Sequence, residues 1–170
     1  RMVEMGEDVA VLIDGMTSLA RAYNLISSNS GRQASSDVDA SALYLPKRSF
    51  GAGRKLEEGG SLTVFASVLS GTSSKLDEML LQELQGGSTS EIHLSQEIAE
   101  AHIIPALNLG KSGTQNEEGL NSSDEMNQVQ KLRSELREIE SKDAPSSGME
   151  LLLKKIAATE DNASLLESYS

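Results

Sequence analysis

The 170-residue sequence predicts an α/β fold. Two strand-then-helix units carry the prediction: VAVLI at 9–13 and SLTVFASVL at 61–69 are short apolar runs, each followed by a helical pattern. A third observation extends it, because beyond Leu120 the chain turns into an amphipathic helical segment.

The elements follow in order. Residues 9–13 are continuously apolar and rich in β-formers, the pattern of a strand buried in a parallel sheet. After them Met16, Leu19, Ala20, Tyr23 and Leu25 recur at near-helical spacing. From Ser27 to Asp39 large apolar side chains almost vanish, which predicts an exposed and mobile loop. Pro46 and the glycines after it allow only a short, broken helix. The second buried strand, 61–69, leads through GTSSK into a helix that ends at Gly86. SEIHLS at 90–95, with Ile92 and Leu94 alternating with polar residues, predicts a third strand. HIIPAL at 102–107 is a fourth candidate, ended or kinked at Pro105.

In the last segment Ser122 and Glu125 form a capping box. The helix it opens carries Met126, Val129, Leu132, Leu136 and Ile139 on one stripe. GMELLLKKIAA and ASLLESY predict two shorter helices after the break at Pro145 and Gly148. The expected division is therefore 1–120 for the α/β core and 121–170 for a helical segment of the same domain.

Composition narrows the function. With no cysteine, neither a disulfide framework nor a thiolate zinc site is possible, and two isolated histidines make a poor metal cluster. No apolar run approaches the roughly 18 residues that span a bilayer, and RMVEMGEDV lacks the apolar core of a signal peptide, so a cytoplasmic protein without membrane association is expected. The net charge of −11 opposes general affinity for nucleic acid, so any RNA contact must be local.

Asp14 ends the first apolar run, where α/β folds place their ligand crevice. In P-loop nucleoside triphosphatases such an aspartate serves the magnesium ion that bridges the phosphates. The structural alternative is a strand-end acid that caps the next helix through the amides near Met16 and Thr17. No G-x-x-x-x-G-K-[ST] occurs in the sequence, and GKSGT at 110–114 lacks the preceding glycine loop and reads as a polar turn.

LIDGMTSLARAYN, DVDASALYLPKRSFGAGRKLEEGGSLT, GTSSKLDE, EIHLSQEIAE, PALNLGKSGT and MELLLKKIAAT follow one another across nearly the whole chain. In that order they resemble the carboxyl-terminal half of the bacterial transcription termination factor Rho family. The resemblance implies a RecA-like P-loop ATPase core, ATP and Mg2+ as cofactors, a ring homo-hexamer, and movement along RNA that dislodges transcribing RNA polymerase. It also implies that the phosphate loop, a catalytic glutamate and an RNA-binding domain precede the matching region, so that this chain is a piece, inactive alone, that begins just before the Walker B strand.

Residue by residue, Asp14 matches the Walker B aspartate, which holds magnesium through water. SGRQASSDVD matches the pore-lining Q-loop, with Arg32, Gln33, Ser36 and Asp37 near RNA. GTSSK matches the R-loop, with Thr72, Ser73, Ser74 and Lys75, where Lys75 would meet an RNA phosphate. Glycine and serine loops suit that task, and one lysine per subunit becomes a ring of six in a hexamer. Without the resemblance, Lys75 reads as an ordinary solvated charge.

The chain departs from the family where cations matter. Gln115 stands at the arginine-finger position, and a neutral amide offers only a dipole where the finger supplies full charge, an effect of roughly 10³ to 10⁵ in rate. His102 and Gln96 occupy basic positions, His102 beside the nucleotide. Ile104 takes the place of the aromatic that stacks on adenine, and Ser18 replaces another arginine. Ser36 and Asp37 stand for glycines at the Q-loop tip, where an acid repels an RNA backbone.

Three readings follow from these residues. An RNA-dependent ATPase and translocase of the Rho kind leads, followed by a catalytically degenerate Rho-like binding or structural module. The third is another RecA-type ring ATPase, such as a flagellar or type III export ATPase.

Overall fold

The computed structural model describes residues 1–27, 40–142, 144 and 146–170. They form two compact units, Arg1–Ser88 and Thr89–Ser170. The change of character at Leu120 falls inside the second.

In the first unit β1 (Val9–Ile13) leads into α1 (Met16–Ser27). A 3-10 turn over Ala40–Leu43 opens the short α2 (Tyr44–Phe50), with Pro46 buried in its first turn, where a missing N–H costs nothing. β2 (Arg54–Lys55), β3 (Ser61–Ala66) and α3 (Lys75–Gln85) complete the unit. β3 is central: it pairs in parallel with β1, from Val9 opposite Leu62 to Ile13 opposite Ala66, and antiparallel with β2.

Helical spacing builds the core beneath this sheet. Met16 and Ala20 on α1 meet Leu76, Leu80 and Leu84 on α3, with Leu43, and Ile13, Phe50 and Ala66 pack against them. Gly60 is obligatory at its position, since a Cβ there would lie 1.8 Å from the Glu7 carbonyl oxygen.

The sheet's other face differs from expectation. The strand predicted at 9–13 is not buried on both sides: Leu12 is 78% and Phe65 59% exposed, and the register places them opposite each other. β1 is an edge strand whose helices cover one face only. β3 also stops at Ala66, three residues short of the predicted end.

In the second unit β4 (Ser90–Glu91) pairs antiparallel with β5 (Gly113–Thr114), and Leu94 bridges to Leu107. Between them lies α4 (Gln96–Glu100), capped by the Ser95 hydroxyl. α5 (Ser123–Lys142), α6 (Ser147–Ala157) and α7 (Asn162–Glu167) pack around Leu132, Leu136 and Leu165. The capping box forms: the Ser122 amide donates to Glu125 Oε2 at 2.7 Å and the Glu125 amide to Ser122 Oγ at 3.3 Å.

Two strand expectations are corrected here. The third strand shrinks to 90–91, and its alternation is inverted: Ile92 and Leu94 are each 73% exposed, while His93 turns inward onto Glu91 at 3.1 Å. Residues 102–107 form no strand, because His102 adopts φ 60 and Pro105, after a cis peptide bond, has no N–H for a ladder. Lys55 on β2 faces Asp8, at 3.7 Å.

Candidate functional site

Asp14 lies exposed just beyond the carboxyl end of β1, and Gly15 after it turns the chain into α1 at φ +118, a conformation that favours glycine. Ser67 occupies the matching place beyond β3. Its hydroxyl donates to Asp14 Oδ1 at 2.8 Å, its amide to the Ile13 carbonyl at 3.0 Å, and its carbonyl accepts from the Met16 amide at 2.9 Å. The amide near Met16 is thus occupied by backbone, and the Asp14 carboxylate takes the Ser67 hydroxyl instead of capping it. Sequence reasoning missed Ser67, whose only signal is its place one residue past the partner strand.

In the first turn of α1, Thr17 is 2% exposed and its hydroxyl accepts from the Leu69 amide at 2.9 Å. Further along, Arg21 Nε donates to Asp77 Oδ1 at 3.1 Å and Arg21 Nη2 to Asp77 Oδ2 at 2.5 Å. Asp77 is 1% exposed, and Thr72 Oγ1 also donates to its Oδ2, at 2.8 Å. The Arg21 guanidinium, with help from Thr72, holds the Asp77 carboxyl below its ordinary value of 3.8 against the opposing effect of burial. Ser74 caps α3 by accepting the Asp77 amide at 3.4 Å.

The segment 67–77 is therefore tied to 14–21 at three points, and Thr72, Ser73, Ser74 and Lys75 are held on its surface. Arg21, Asn24, Leu25, Ser73, Ser74, Lys75 and Leu76 line an open cleft of about 580 Å³. Lys75 is exposed and has no ion pair among the described residues. Neither Arg21 nor Asp77 was singled out from sequence; an aspartate in the first turn after a capping serine is the signal that was available.

Gln115, His102 and Ile104 belong to the second unit. Gln115 is exposed after β5, with its amide on the Thr89 carbonyl at 2.8 Å. Ile104 is 82% exposed, and the chain after it returns beside Ser95, whose amide meets the Ala106 carbonyl at 2.9 Å. Among the described residues no hydrogen bond or ion pair joins Gln115 to His102 or Ile104. GKSGT is a turn only at its start, where Asn108 accepts the Ser112 amide at 3.1 Å and the Lys111 amide at 3.0 Å, while Gly113 and Thr114 form β5. Arg32, Gln33, Ser36 and Asp37 lie outside the described residues.

Asp14 suits a hard cation that keeps most of its water, since among the described residues only its Oδ1 is bonded, to the Ser67 hydroxyl. Among the described residues no group of three or more His, Asp or Glu gathers around a common point, which a caged metal would need.

Residues 1–114 match the model of the ATP synthase alpha/beta family, nucleotide-binding domain. The chain belongs to this family. Among curated proteins it is similar to transcription termination factor Rho of Micrococcus luteus, 47% identical over 166 residues, and of Escherichia coli K12, 43% identical over 167. Each match covers 98% of this chain but only 23% and 39% of the relative, respectively.

Two solved structures support the family fold. One is from a structural and biochemical analysis of a prototypical ATPase of the type III secretion system of pathogenic bacteria: TM-score 0.74, 18% identity, 98% of this chain and 54% of that one. The other is the assembled ATPase EscN from the enteropathogenic E. coli type III secretion system: TM-score 0.72, 18% identity, 98% of this chain and 45% of that one. At that identity they speak for the fold alone. The β1–β3 pair with α1 and α3 is thus part of a RecA-like ATPase core, as the family assignment requires, and the resemblance to Rho read from the sequence stands. No helix among the described residues is long and apolar enough to cross a membrane.

Proposed function

We propose that this chain is the part of a Rho-type, RNA-dependent ATPase that joins the metal-facing aspartate to an RNA-contacting loop. The observation that carries the proposal is the chain of contacts from Asp14 through Ser67 to the braced loop 72–75, which places an exposed lysine and an exposed carboxylate on one rigid support. Relatives named transcription termination factor Rho give the reading its direction.

In this reading Asp14 would hold a hydrated Mg2+, which would supply positive charge at the ATP phosphates. Ser67 holds the carboxylate by its Oδ1, and its Oδ2 has no hydrogen bond among the described residues. Lys75 meets an RNA phosphate, and Thr72, Ser73 and Ser74 shape the loop around it. Arg32, Gln33, Ser36 and Asp37 complete the RNA path, against the repulsion of Asp37. Ile104 and His102 line the base of one nucleotide. Gln115 serves a different nucleotide, in a neighbouring subunit of a homo-hexamer. The protein works in the cytoplasm on RNA and the RNA polymerase transcription complex, and residues 121–170 form a helical segment of the domain whose core is 1–120.

A second reading, a degenerate module that keeps only binding, is favoured by one observation: residue 115 carries no charge although its backbone is firmly held. RNA affinity separates the readings. Lys75→Ala in the natural full-length protein is expected to weaken single-stranded RNA binding at least tenfold and to reduce its salt dependence by about one phosphate contact per subunit. Unchanged affinity and salt slope contradict the proposed role of Lys75.

A further inference from the structure

Residue 115 is presented by an unusually complete frame. On its amino side, β5 is registered on β4, with Thr114 opposite Ser90 and their hydroxyls 3.1 Å apart. Its own amide is bonded to the Thr89 carbonyl at 2.8 Å. On its carboxyl side, Asn116 reverses the chain at φ 54, a left-handed conformation that asparagine tolerates better than most residues. Glu117 then opens a 3-10 turn over Glu117–Gly119.

Glu117 is the anchor of that turn. Its side chain is 16% exposed, and its two oxygens accept from Arg133 Nη1 at 2.8 Å and Nη2 at 2.6 Å. Arg133 stands on α5 beside Leu132, in the helix that supplies Leu132 and Leu136 to the unit's core. A paired two-point contact fixes direction as well as distance, which a single lysine ammonium does not.

We infer that Arg133 is a positioning residue that acts through Glu117 to aim the residue-115 side chain. This rests on the proposed function for what the side chain is aimed at, the phosphates of a nucleotide, but not for the aiming itself. A carboxamide there offers its NH2 to a phosphoryl oxygen from a fixed origin.

Amide hydrogen exchange on the full chain tests the positioning without any assay of hydrolysis. In Arg133→Ala the amides of Gln115 and Thr114 are expected to exchange about tenfold faster or more, while those around Leu132 and Leu136 change less than about twofold. Arg133→Lys falls between, and Glu117→Gln reproduces the alanine pattern. Unchanged exchange at Gln115 overturns the inference, and so does a uniform rise across the unit in every variant.

Hydrolysis then tests what is aimed at. In the natural full-length protein Gln115→Arg is expected to raise kcat, and adding Arg133→Ala to remove most of that gain with nucleotide KM unchanged. A gain that survives Arg133→Ala overturns the inference. Absence of any gain from Gln115→Arg counts against the proposed function alone, and the exchange result then decides the positioning.

Discussion

Arg21 holds the buried Asp77 carboxylate by both oxygens, at 3.1 and 2.5 Å, while Thr72 donates to the same carboxylate at 2.8 Å. A charge 1% exposed is tolerated only because its cation and hydroxyl are in place. The two sides of the pair are unequal, since the Arg21 side chain is 48% exposed and returns easily to water. Arg21→Ala is therefore expected to cost about 3 kcal/mol by stranding the carboxylate, and Asp77→Asn clearly less. Urea unfolding of the two variants checks the order, and equal losses contradict it.

The same pair sets a pH dependence. Arg21 lowers the folded-state pKa of Asp77 below 3.8, so the folded protein releases this proton more readily than the unfolded chain. The pair's stabilisation is therefore fully present above the ordinary aspartate value and is lost as pH falls through the depressed one. Other carboxylates respond similarly, so the difference between wild type and Asp77→Asn is the quantity to follow. It is expected to be constant from pH 7 to about 5 and to shrink below about pH 4. In Arg21→Ala this pH dependence is expected to weaken, because the largest cause of the depression is gone and only the Thr72 and Ser74 contacts still oppose burial.

Apolar residues with the same hydropathy are expected to differ widely in weight. Leu80, fully buried on α3 where it meets α1, should cost about 2–5 kcal/mol on truncation to alanine. Leu94, 73% exposed, should cost less than about 0.5 kcal/mol. Thermal or denaturant unfolding of the two variants decides this. A large loss at Leu94 would mean that it is covered in solution.

Ser67→Ala removes the hydroxyl that holds Asp14 at 2.8 Å, at a site that is already solvated. Stability is expected to change by less than about 1 kcal/mol. In the full-length protein, kcat for ATP should fall several-fold, with a larger apparent Mg2+ requirement. A loss of stability with unchanged Mg2+ dependence would make Ser67 purely structural.

Local signals in the sequence carried most of the elements. The capping box of Ser122 and Glu125, the stop at Gly86 and the 16/20 spacing each act within a few residues, and each is realised. What depended on pairing was not legible. Whether Ile92 or His93 faces inward is set by the returning chain at 107–114, which satisfies the His93 backbone through Ser112 and Asn108. Likewise VAVLI states only that the strand is apolar, not that β1 lies at an edge with Leu12 open. At the site, Asp14 was visible because its run ends abruptly, while Ser67, Arg21 and Asp77 acquire meaning only when strand ends and helices meet.

The central claim is that Asp14 and Lys75 serve one RNA-dependent ATPase. The most direct measurement is the ATP hydrolysis rate of the natural full-length protein against single-stranded RNA concentration, for wild type, Asp14→Asn and Lys75→Ala. The expected result is a wild-type rate that rises at least tenfold to saturation, near-complete loss in Asp14→Asn, and in Lys75→Ala a response shifted to higher RNA. A rate indifferent to RNA, or one that survives Asp14→Asn, would contradict the claim.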